Sequence, residues 1–95
     1  IITVATPGQL DAIARRRIEQ PPLAPDHVEI EVDAVALSYR DILLALGVIP
    51  SPESGLPRLG FECCGRIVQA GPQVSGLAAG DDVVALGTGC LATSI

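Results

Sequence analysis

Four side chains with useful chemistry stand together in "SYRD", residues 38–41: a hydroxyl, a phenol, a guanidinium and a carboxylate. All four sit together at a predicted helix start. The spacing has a plain use. Ser38 with Asp41 three residues later matches a capping box in which the shorter acid replaces Glu, leaving Arg40 as a solvated cation.

Three other stretches invite a chemical reading. "GFECCGRIV", residues 60–68, carries adjacent thiols beside Glu62. Neighbours on a strand point to opposite faces, so Cys63 and Cys64 cannot easily share one ion, and only His27 and Cys90 remain as soft ligands. The pair reads as packing. "GTGCLA", residues 87–92, matches G-x-G-x-x-A after a predicted strand. That fingerprint works only when its third position opens a helix with a second strand beyond, and three residues remain here, so it reads as a glycine turn. His27 follows Pro25-Asp26 at a strand start and reads as solvated.

The elements that must hold these residues follow from periodicity. Residues 27–37, "HVEIEVDAVAL", alternate: Val28, Ile30, Val32, Ala34 and Ala36 on one face, Glu29, Glu31 and Asp33 on the other. This predicts a strand with one wet side. Ser38 then opens a helix whose apolar face is Ile42, Leu43 and Leu46, and Gly47 stops it. A loop with Pro50, Pro52 and Pro57 follows. Residues 61–70 predict a buried strand ended by Gly71-Pro72, and Asp82 to Leu86 another, entered through Gly80-Asp81. "QLDAIARRRI" is ambiguous, because Leu10, Ile13, Ala14 and Ile18 have helical spacing in a segment bounded by Pro-Gly and Pro-Pro. Short strands, one short helix and frequent turns predict a mainly β, partly closed barrel.

Composition removes several function classes. The apolar 48% is aliphatic, with Phe61 and Tyr39 the only aromatics, which suits a β-rich core and argues against base stacking. Net charge is −5, and the one basic cluster, Arg15 to Arg17, is flanked by Asp11 and Glu19, so a nucleic-acid partner is not expected. No apolar run approaches the roughly 18 residues of a membrane span. The absence of Lys and the single His exclude Lys-based or His-pair catalysis within these residues. Three Cys without C-x-x-C fit a reducing, cytoplasmic setting. With no Met, the chain is expected to be a piece of a longer polypeptide.

Taken in order, "EIEVDAVALSYRDILLALG" and "LGFECCGRIVQAGPQVSGLAAGDDVVAL" resemble the GroES-like N-terminal domain of the medium-chain dehydrogenase/reductase family. They look most like enoyl reductase domains of modular polyketide synthases and of fatty acid synthases, which read "LNFRDVLxALG" and then "LGxExAGxVxxVGxxVxxLxxGDxV". The resemblance covers residues 9–95 and implies a strand over residues 12–18. It implies that residues 1–95 are one substrate-side domain of a two-domain reductase, with the Rossmann domain elsewhere. Zinc-dependent members carry Cys at the Ser38 position and His at the Phe61 position, so the resemblance implies a zinc-free chain. Glu62 and Gly65 are its motif residues, and Cys63 and Cys64 replace small ones.

The activity so implied is NADPH-dependent reduction of an α,β-unsaturated thioester on an acyl carrier protein, with neighbouring synthase modules as partners. Ser38, Arg40, Asp41, Phe61 and Glu62 would border the cleft, and Tyr39 is the candidate proton donor. No residue of this chain is expected to bind the nucleotide, NADP(H), so the isolated chain is expected to be inactive. Ser38 replaces the family's Asn and Tyr39 its usual Phe. A zinc-free quinone oxidoreductase shares nearly every motif, and a non-catalytic binding module like the chaperonin co-factors shares the barrel.

Overall fold

The computed structural model describes residues 1–6, 8–50, 57–92 and 94. The loop expected around Pro52 falls outside them. The fold is mainly β, with strands β1 (Ile2–Val4), β2 (Ile13–Arg15), β3 (Val28–Ala36), β4 (Glu62–Ala70) and β5 (Asp82–Leu86) and one α-helix, α1 (Tyr39–Ala45). Among the described residues the strands form two antiparallel sheets, β1–β2 and β3–β4–β5, and do not close a barrel. None of the described helices is long and apolar enough to cross a membrane.

The sheets are stitched together by segments without regular structure. Ile2 N–H donates to Leu91 O at 2.9 Å, Leu59 N–H to Ile2 O at 3.2 Å, and Leu91 N–H to Leu59 O at 3.0 Å. Thr3 is buried because its hydroxyl donates to Pro57 O at 2.6 Å, which satisfies a polar group away from water. Around this seam Val4, Leu44, Ala45 and Leu59 form a buried cluster, with Ile2, Ala12, Ile49, Phe61 and Leu91 packed against it.

Three expectations are corrected here. The alternation of β3 changes phase, because Asp33 has no partner in the register between Val32↔Gly65 and Ala34↔Cys64. This bulge turns Val35 inward and leaves Ala34 and Ala36 exposed. The strand β4 is buried on one face only: Cys63, Gly65 and Ile67 are buried, while Glu62, Cys64, Arg66 and Val68 are exposed. The inward stripe of α1 is Asp41, Leu44 and Ala45, whereas Ile42 and Leu46 are exposed. A buried carboxylate stands in the stripe where an apolar residue would be expected, so hydrophobic periodicity misplaced it.

The ambiguous segment resolves into both alternatives. Leu10–Ala12 makes a 3₁₀ turn, and only Ile13–Arg15 of the strand implied for residues 12–18 is extended and paired. Strand β1 escaped the periodicity reading because three residues are too few to show alternation. Gly47, at φ 72°, closes α1 as expected. Val48 N–H donates to Leu43 O and Gly47 N–H to Leu44 O, the two bonds of a Schellman stop.

The uncovered face of the larger sheet is apolar at one end. Ala34, Cys64 and Val84 lie in one row across it, and Ala36, Glu62 and Leu86 in the next, with Val84 and Leu86 79% and 80% exposed. The radius of gyration, 14.0 Å, exceeds the roughly 12 Å of a compact chain of this length.

Gly65 of β4 lies close against β3, and a Cβ there would run into the Glu31 carbonyl and the Ile30 side chain. Gly65→Ala should therefore lower stability by at least about 1–3 kcal/mol, the usual cost of overpacking, as read from the urea midpoint.

Candidate functional site

Helix α1 enters the fold through Ser38, whose backbone is extended (φ −128°, ψ 164°). Ser38 N–H donates to Asp41 Oδ2 at 3.0 Å, and the Ser38 hydroxyl lies 3.4 Å from the same oxygen. The other carboxylate oxygen, Oδ1, accepts the Gly60 N–H at 2.7 Å. Asp41 is 5% exposed, so this carboxylate is a buried joint between the start of α1 and the entry to β4. Gly60 is held at φ +91° against Leu91, so no side chain fits at this joint.

The next residues on each side of the joint also meet. The Arg40 guanidinium lies 4.2 Å from the centroid of the Phe61 ring, a cation–π stack. Tyr39 is 72% exposed, and its hydroxyl has no partner among the described residues. Ser38, Arg40, Asp41 and Phe61 are thus drawn to one place. Glu62 lies one residue further along β4, on the open sheet face, and bonds to none of them.

Sequence spacing revealed the Ser38–Asp41 half of this arrangement. It did not reveal the Asp41–Gly60 bond or the Arg40–Phe61 stack, whose partners lie far apart along the chain. One signal was available: a carboxylate has two oxygens, and a capping box uses only one.

The other candidates have local explanations. Cys63 and Cys64 lie on opposite faces of β4, buried and exposed respectively. Cys90 is fully buried, and its thiol lies 3.1 Å from Gly87 O. Burial, and then the neighbouring Cys63 thiol, push the Cys90 thiol up from 9.0 to about 11. Residues 87–92 form a glycine turn fastened to Gly60 and Leu59 by backbone bonds from Cys90 and Leu91. The His27 ring lies 2.7 Å from Asp26, and both are exposed; this hydrogen bond holds the Asp26 carboxyl below its ordinary range.

Comparison with known proteins defines the class. Residues 24–94 match the model of the alcohol dehydrogenase GroES-like domain, and the chain belongs to that family. It is 33% identical over 94 residues to a phenolphthiocerol/phthiocerol polyketide synthase of Mycobacterium tuberculosis, matching 99% of this chain and 4% of the synthase. Among solved structures it is similar to the CurK enoyl reductase, with 33% identity, TM-score 0.86 and coverage of 99% of this chain and 31% of that one. The Escherichia coli quinone oxidoreductase complexed with NADPH has TM-score 0.89 at 23% identity over 99% of this chain and 29% of that one, a likeness of fold alone. The chain therefore spans a small part of the synthase and under a third of either reductase.

Asp41→Ala should destabilise the fold by more than a simple cap. Losing the cap costs about 1 kcal/mol, and stranding the buried Gly60 N–H adds roughly 1–3 kcal/mol. Asp41→Asn keeps one acceptor and should fall between Asp41→Ala and the parent in urea titration.

The thiols give a second test. In the native chain at pH 8 only Cys64 should react readily with a disulfide reagent, and all three should react in urea. The folded state holds the Cys90 proton to higher pH than the unfolded chain. Stability linked to it is complete below pH 9.0 and lost as pH rises towards about 11, which thermal melts across that range should show.

Proposed function

We propose that this chain is the substrate-side domain, residues 1–95, of a cytoplasmic NADPH-dependent enoyl reductase in a polyketide synthase. The substrate is an α,β-unsaturated thioester on an acyl carrier protein. The observation that carries this reading is the match of 99% of the chain, at 33% identity, to an enoyl reductase. The similarity to polyketide synthases supports its setting. A zinc-free quinone oxidoreductase, which shares nearly every motif, is the second reading.

In this reading the nucleotide is held by a Rossmann domain outside these residues. When bound, it supplies hydride to the β-carbon of the substrate. The chain's own residues answer for the charge and proton that follow. Negative charge develops on the thioester oxygen, where the Arg40 guanidinium offers in-plane N–H donors; the Ser38 hydroxyl, directed at Asp41, joins them only by turning away from that carboxylate. Tyr39 stands at the rim with a free phenol, able to shape the α-carbon pocket or to donate its proton. Asp41 acts through the others as a positioning residue, since both its oxygens are already engaged.

Zinc does not fit this donor set. Phe61 has no ligand atom, and the Ser38 hydroxyl is a weak ligand already directed at Asp41. No step is assigned to a metal.

The test is steady-state reduction of an α-methyl enoyl thioester by a reductase polypeptide containing this chain, with product configuration read alongside the rate. Tyr39→Phe should retain kcat within a few-fold and yield mixed α-configuration. A fall of roughly 10²-fold, the scale of a lost general acid, would make Tyr39 the proton donor instead. Unchanged rate and configuration in both Ser38→Ala and Tyr39→Ala would remove this rim from the active site.

A further inference from the structure

Three of the chain's six basic residues, Arg15, Arg16 and Arg17, line one groove of about 750 Å³. Its apolar floor includes Ile18, Leu91 and Ala92. One side is fixed by Gln20, whose amide donates to the Ser94 carbonyl and hydroxyl at 3.1 and 3.0 Å. All three arginines are exposed. Among the described residues none forms an ion pair, and the acids flanking them in sequence, Asp11 and Glu19, neither line the groove nor bond to them.

The chain has a net charge of −5, so three adjacent unpaired cations are a local reversal of its field. We propose that this groove is a docking site for an acidic polypeptide segment that lays apolar side chains on the floor. The chemistry selects that occupant. Where the chain is extended, neighbours point to opposite faces, so Arg15 and Arg17 share one face roughly 7 Å apart, which suits carboxylates along a peptide better than one phosphate group. The groove has no aromatic lining on which bases could stack, and the acidic remainder of the chain repels a long polyanion. The apolar floor would be wasted on a small inorganic anion.

This site is independent of the proposed reductase chemistry and is tested on the 95-residue chain itself. The probe is a fluorescein-labelled peptide alternating glutamate with leucine, followed by anisotropy. Saturable binding is expected, weakening as salt is raised from about 50 to 200 mM. Combined Arg15→Ala, Arg16→Ala and Arg17→Ala should weaken it at least about tenfold, since one such charge-assisted bond can be worth that factor. The corresponding triple Lys variant should retain most of it. Urea midpoints check folding, and the three single Arg→Ala variants decide the matter if the triple variant is unstable. The proposal is overturned if the peptide does not bind, or if the folded Arg→Ala variants bind it as the parent does. Tighter binding of a single-stranded oligonucleotide, or equal binding of pyrophosphate, also overturns it in favour of those ligands.

Discussion

The buried carboxylate of Asp41 is the constraint on which the rest of the arrangement depends. Its two oxygens hold segments that hydrophobic contact alone would leave free to slide: the first turn of α1 and the glycine that leads into β4. A buried carboxylate is costly unless its lone pairs are engaged. With both oxygens bonded, the cost becomes directional, because only one relative placement of helix and strand satisfies them. The Arg40–Phe61 stack follows from that placement, since each partner is a chain neighbour of the joint. The positions bordering the proposed cleft are fixed by a polar joint, and the small cluster around Leu44 and Leu59 packs behind it.

Much of the larger sheet was legible in the sequence. The alternation from Val28 to Val32 and the glycine punctuation around β4 and β5 record a period-two surface, which needs no distant information. The errors share one cause: local patterns cannot see a partner strand. Asp33 looked like one more outward acid, yet it is the bulge that reverses the faces of β3. Asp41 looked like a surface cap, yet it is the buried acid of its helix. The two-stranded sheet was least legible, because it is held by bonds to Leu91, Leu59 and Pro57, far along the chain.

The candidate site was legible to about the same depth. "SYRD" announced a capped helix and a group of polar side chains, and the family resemblance singled out Phe61 and Glu62. The structure gives these residues different roles. Asp41 is consumed in holding the fold, Arg40 leans on a ring, and Tyr39 is left with an unengaged hydroxyl. Glu62, although a motif residue, bonds to none of them.

The exposed rows ending in Val84 and Leu86 make the two edges of the larger sheet unequal. In an antiparallel ladder, Val83 and Ala85 turn their backbone groups towards β4, so Val84 and Leu86 turn theirs to the open edge. At the opposite edge, β3 is broken by bulges, lined by Glu29, Glu31 and Asp33, and bridged to Ser94. Those are the features by which edges refuse another strand. The Arg66–Asp82 pair guards only one end of β5. Among the described residues that leaves β5 as the edge open to a further strand, whose apolar side chains at alternate positions would flank Val84 and Leu86.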